Sequence, residues 1–161
     1  MAANKATVSV AASVLPDELK ASVGGSIVYD LNDSAGDTEN WVYYANNVSA
    51  TNQALLTADI GFLAGSAGDV NTRVNAGTDT IGFLVLKHSG YQGDGTTVST
   101  DNLFFNFTNG VSADDATGNI VLEPGDVWWG RFAGAPDTAD FEVEAAANTV
   151  KALVYACIDD V

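Results

Sequence analysis

Cysteine occurs once in these 161 residues, at Cys157, so no internal disulfide can form and a disulfide-stapled scaffold is excluded. With a single histidine, His88, beside that single thiol, the chain also lacks the ligands of a zinc site. Basic side chains are scarce: six Lys and Arg stand against 21 Asp and Glu, for a formal charge of −15. A surface of that sign repels phosphate backbones and anionic headgroups, which argues against nucleic acid and membrane as partners. Long hydrophobic runs are missing as well. No stretch nears the ~20 apolar residues that span a bilayer, and the segment Ala6 to Val14 holds too many Ser and Thr for a signal-peptide core. A soluble protein made in a bacterial-type cytoplasm is expected.

Hydrophobic residues nevertheless make up 47% of the chain while charged residues make up 17%, so the acidity comes from missing cations and not from charge blocks. That composition predicts folding, not disorder. A chain of this length removes roughly two thirds of its unfolded surface from water, enough for a core without staples. With no internal repeat, Pro-rich linker or shift of composition, one domain over residues 1–161 is expected.

The apolar stretches are short, run with period two, and end in Gly, Asn, Asp and Ser clusters, the pattern of strands. Val8, Val10, Ala12 and Val14 share one face of a first strand and Thr7, Ser9, Ala11 and Ser13 the other. Strands are predicted over Ser26 to Leu31, Asn40 to Ala45, Thr80 to His88, Leu103 to Phe107, Ile120 to Glu123, Asp126 to Phe132, Asp140 to Ala146 and Thr149 to Ile158. Thr80 to His88 is apolar on both faces, as a central strand would be. Ala50 to Phe62 fits neither period and reads as a strand or a single helical turn. Gly61 to Thr80 reads as a long exposed connection, and Asn109-Gly110 suits a type I′ turn. About nine or ten strands follow, which points to an all-β sandwich of jelly-roll-like or Greek-key type.

From Asp79 onward the order is more specific. A two-sided strand ends in Lys87-His88-Ser89-Gly90, and a short aromatic strand follows. Then come Ile120-Val121-Leu122-Glu123-Pro124-Gly125-Asp126, Val127-Trp128-Trp129, Phe141-Glu142-Val143-Glu144-Ala145 and a closing strand from Val150 to Ile158. This order resembles the C-terminal half of small β-sandwich virion proteins of tailed bacteriophages, either capsid decoration (cement) proteins or tail and fibre components. Leu15-Pro16-Asp17-Glu18, Gly25-Ser26-Ile27-Val28-Tyr29 and Asn40-Trp41-Val42-Tyr43-Tyr44 echo phage structural proteins in the N-terminal half. The resemblance covers about half of the chain. It implies a shell accessory protein without chemistry of its own, a homotrimer on the capsid exterior whose partners are the major capsid protein or other virion subunits.

Several constellations compete with that expectation. His88 could join a Ser and an Asp in a hydrolytic triad, or it could be a strand-end histidine bonded to a loop. Cys157, among Val154, Tyr155, Ala156 and Ile158, reads as a buried small hydrophobe. Glu142 and Glu144 share a strand face, and Asp114-Asp115 and Asp159-Asp160 are adjacent, but solvent-facing carboxylates and a frayed C-terminal end explain them without catalysis. A structural Ca²⁺ would sit most naturally at Asp30 to Asp37, with Asp94 and Asp114-Asp115 as other sources of oxygen, although no segment follows the EF-hand pattern and Asx turns account for the same residues. No catalytic residue and no required cofactor is assigned.

Aromatic residues are the remaining resource. Trp41, Tyr43, Tyr44, Trp128 and Trp129 are the candidate interface anchors, since Tyr and Trp are enriched where proteins meet. The same rings could instead floor a carbohydrate- or receptor-binding groove of a tail or fibre. If Trp128 and Trp129 lie in a strand they point to opposite faces, so at most one belongs to a sandwich core. An acidic coat of this size also repels its own copies, so assembly should weaken at low ionic strength.

Overall fold

The computed structural model describes residues 5–14, 21–30, 38–56, 80–108, 113–114, 119–132, 136–137 and 140–160, with 5–8, 10–14, 21–30, 38–44 and 158–160 described by their backbone alone. The chain divides into two compact units, Met1–Asp37 and Thr38–Val161.

In the first unit, β1 (Lys5–Val14) and β2 (Ala21–Asp30) form an antiparallel two-stranded sheet. The period-two pattern of β1 continues across the pair, because Val8 stands opposite Ile27 and Ser9 opposite Ser26.

The second unit contains β3 (Thr38–Val48), β4 (Gln53–Ala54), β5 (Thr80–Gln92), β6 (Leu103–Asn106), β7 (Ile120–Leu122), β8 (Val127–Arg131), β9 (Glu142–Ala145) and β10 (Val150–Asp160). One antiparallel sheet has the order β3-β10-β5-β8 and the other β4-β9-β6-β7. Along the chain, β3, β5, β8 and β10 enter the first sheet, and β4, the pair β6 and β7, and β9 enter the second. This alternation is the jelly-roll connectivity, the more specific of the two sandwich topologies predicted. The sandwich has eight strands, fewer than the nine or ten expected, because β1 and β2 form a sheet of their own.

The core lies between the two sheets. From the first come Leu84, Leu86, Val150, Ala152, Val154 and Ala156, and from the second Leu103, Phe105, Leu122, Val143 and Ala145, all buried. Burying each Val, Leu or Phe contributes about 1.5–3 kcal/mol. Leu55 and Leu56, just after β4, also reach this core, which explains why Ala50 to Phe62 lacks a clean period: two consecutive leucines leave a two-residue strand and both turn inward.

β5 is central, flanked by β10 and β8 as its two-sided pattern predicts. Its parity breaks once. Cys157 stands opposite Phe83 but the next residue, Ile158, stands opposite Ile81, so Gly82 is an extra residue in a bulge. The bulge lets Ile81 and Leu84, three positions apart, both face the core. Between β7 and β8 the chain changes sheets through Glu123-Pro124-Gly125-Asp126, closed by the Asp126 N–H donating to the Glu123 carbonyl at 2.9 Å, with Gly125 at φ +97°. Proline fixes the second position of such a turn and glycine supplies the positive φ at the third. The predicted turn at Asn109-Gly110 and most of the connection from Gly61 to Thr80 lie outside the described residues.

Candidate interface surface

Register across the β3-β10-β5-β8 sheet sorts the aromatic residues by face. Tyr44 stands opposite Val154, Val154 opposite Leu86, and Leu86 opposite Trp128, in one row that contains core residues. The adjacent row runs Tyr43, Tyr155, Val85, Trp129. Trp128 packs on the core, with its ring 5.1 Å from Phe105, 6.1 Å from Phe132 and 6.3 Å from Phe107. Trp129 therefore belongs to the outer face, since neighbours in a strand point to opposite sides. Trp41 stands at the register position of Cys157.

The outer face is apolar, and it is exposed only in part, since Phe83 and Cys157 on it are buried. Val85, Leu153 and Trp129 are half-buried, Tyr155 is 42% exposed and Val127 51% exposed. Below the row of Trp129 lies a row of Val127, Lys87, Leu153 and Ala45, and above it one of Arg131, Phe83, Cys157 and Trp41. Lys87 and Arg131 fall in these rows, and Lys151, opposite Asn47, follows two residues beyond Leu153 on β10. Three of the six basic residues of a chain of charge −15 thus lie on one face; the three rows contain no carboxylate, and the next row beyond Cys157 holds Asp159 opposite Glu39. Val85, Leu153, Tyr155 and Val127 are not evident from single strands, because only pairing brings them beside Trp129. Part of the signal was present in β10, where Lys151, Leu153 and Tyr155 alternate with the buried Val150, Ala152, Val154 and Ala156.

The polar candidates have structural occupations. His88 is fully buried, and its Nε2 lies 2.9 Å from the Asp101 carbonyl oxygen while its Nδ1 accepts the Gly90 N–H at 2.9 Å. Both nitrogens are held by backbone groups, which fixes the neutral tautomer with the proton on Nε2 and leaves neither to serve a serine. Cys157 is buried. Asp94 spends both carboxylate oxygens on its own loop: Oδ1 accepts the N–H groups of Thr96 and Thr97, and Oδ2 accepts the Thr97 hydroxyl at 2.6 Å. These bonds, the hydroxyl first, hold its carboxyl below the ordinary aspartate range. Glu142 accepts from Asn52 Nδ2 at 3.0 Å, and partial burial raises its carboxyl above the usual value despite that bond. Asp159 and Asp160 are not a frayed end as expected, since β10 continues through them opposite Glu39 and Thr38. Of the calcium candidates, Asp30 closes β2, Asp114 is half-buried, and residues 31–37 and Asp115 lie outside the described residues.

No family model and no curated protein matches the chain. Among solved structures it is similar to a subunit of Bacillus endospore appendages, a family of disulfide-linked pili, with TM-score 0.44 and 10% identity over 81% of this chain and 93% of that one. It is also similar to the coat protein of tobacco streak virus, with TM-score 0.37 and 14% identity over 79% of this chain and 90% of that one. Neither neighbour is a phage protein.

Proposed function

We propose that this chain is a non-enzymatic structural protein that docks on an assembled shell through the outer face of the β3-β10-β5-β8 sheet, in the manner of a phage capsid decoration protein. The observation that carries this reading is the apolar row of Trp129, Val85 and Tyr155, with Lys87 in the neighbouring row, on a strongly acidic chain. An aromatic ring contributes 150–250 Å² of contact area when covered, which makes Trp129 and Tyr155 anchors. The cations match an acidic partner surface such as a major capsid protein or another virion subunit would offer, while the acidic remainder faces outward and keeps the particle soluble. Modest contacts repeated by the symmetry of a shell then sum to strong attachment. On this reading the protein resides on the virion exterior.

A carbohydrate- or receptor-binding role would need carboxylates or amides beside the rings to bond sugar hydroxyls, and the row of Trp129 has none among Tyr155, Val85 and Tyr43. The test is co-sedimentation of the protein with shells assembled without it. Binding that raises the heat resistance of the shells supports docking. Retention on glycans without shell binding supports the other role.

A further inference from the structure

Ten consecutive register pairs join β1 to β2, and they alternate in kind. Ala6 and Tyr29, Val8 and Ile27, Val10 and Gly25, Ala12 and Val23, and Val14 and Ala21 are all apolar or glycine. The intervening pairs are Lys5 and Asp30, Thr7 and Val28, Ser9 and Ser26, Ala11 and Gly24, and Ser13 and Ser22, which are mostly polar. The ribbon thus has the pattern of a half-buried sheet, yet a sheet of two strands is marginal in water and needs a third strand or more.

Among the described residues no strand pairs with the outer edge of β1, and the strand lacks the devices that blunt edges. Strands that must stay single are kept short, or carry Pro, inward charges or Lys along their length. β1 runs for ten residues without Pro or Gly, and its one charge is its first residue, Lys5. β2 is the poorer edge, because Gly24-Gly25 interrupts it. In the sandwich the edges of the second sheet are blunted by length alone, with two residues in β4 and three in β7. Charge identifies the partner. β1 and β2 together hold one Lys and one Asp and are neutral, in a chain of charge −15, so the ribbon is a place where two copies can meet without bringing acidic residues together.

We propose that β1 is a joint between two copies of this chain: β1 of one copy pairs antiparallel with β1 of a second about a two-fold axis, making a four-stranded sheet of order β2-β1-β1-β2. A two-fold axis through the sheet makes the contact self-complementary and keeps the apolar pairs of both copies on one side. The joint goes beyond the docking reading and is independent of what covers the outer face of the sandwich. It makes the basic unit a dimer, in place of the trimer that the phage resemblance implies.

Variants of the full chain with Cys157→Ala and one new cysteine test this. Under mild oxidation, at least one of Thr7→Cys, Ser9→Cys and Ala11→Cys in β1 is expected to link into a covalent dimer, while Ser22→Cys and Ser26→Cys in β2 stay unlinked. Ser9→Pro and Val10→Pro remove two consecutive N–H groups, one of which points out of the ribbon. That one is expected to raise the dimer dissociation constant about tenfold or more in sedimentation equilibrium, with the tryptophan-detected melting of Thr38–Val161 unchanged. Wild-type protein that sediments at the 16.6 kDa chain mass at every concentration would overturn the joint, as would linkage through β2 as readily as through β1. These measurements use the free protein, so failure to bind shells leaves them standing, and a monomer that still binds shells refutes the joint alone.

Discussion

The ring of Trp128 lies 5.1 Å from that of Phe105, inclined at 59°, and ties the edge strand β8 of one sheet to the centre of the other. Its neighbour Trp129 contributes nothing to that contact and stands on the opposite face beside Val85. The two tryptophans therefore answer differently to truncation. Trp128→Ala is expected to cost about 2–4 kcal/mol of stability, below the full range for a core aromatic because the ring is only half-buried. Trp129→Ser is expected to cost about 1 kcal/mol or less, the value of its cross-strand contact, and to weaken docking. Urea denaturation of both variants checks the contrast.

Within β5, His88 holds the Gly90 N–H and the Asp101 carbonyl at once. Replacing it by Ala strands both backbone groups and opens a cavity, at an expected cost of about 2–4 kcal/mol. Hydrogen exchange should show the Gly90 amide losing its protection before the strands of the second sheet.

Asp94 is an exposed carboxylate that its own loop keeps ionised. Its folded value is depressed, so its contribution to loop order is present above the unfolded value near 4 and is lost as pH falls through the lower folded value. In an NMR titration the Asp94 carboxyl carbon is expected to remain ionised at pH 3, where ordinary exposed aspartates are mostly protonated. Thr97→Val should return Asp94 toward the ordinary range.

Glu142 has the opposite sign. Burial raises its folded value above the unfolded one, so the folded state holds the proton more tightly and stability falls as pH rises through that window. Glu142→Gln is expected to remove this slope and to leave the protein slightly more stable at neutral pH, since the amide oxygen can still accept from Asn52. Denaturation midpoints between pH 4 and 7 read this directly.

Self-association should respond to salt. At charge −15, copies repel at low ionic strength, where the Debye length reaches about 30 Å at 0.01 M, and approach more easily at 0.15 M, where it is about 8 Å. Light scattering is expected to show larger particles as salt rises across that range.

Much of this architecture was legible in the sequence because period two survives in the strands that build the core. Val150, Ala152, Val154 and Ala156 announce β10, and Pro124-Gly125 announces the change of sheet. The bulge at Gly82 was not legible, because it is defined by the register of β10 against β5 and not by any residue alone. The same limit hid the outer face. Trp129 was visible as a candidate, but Val85, Leu153 and Tyr155 become its neighbours only when strands distant in the chain are laid side by side. Trp41, Tyr43 and Tyr44 form one cluster in the sequence, and register divides them, with Tyr44 in the row of Trp128 and Tyr43 in the row of Trp129.

Docking through the outer face is tested by the occupancy of shells made without this chain by wild-type protein and by the Trp129→Ser, Tyr155→Ser double variant at equal concentration. Wild type is expected to fill the shells and raise their resistance to heat, and the double variant, still folded in solution, to lose at least tenfold in apparent affinity. Equal binding by both proteins, or no binding by wild type, would contradict it.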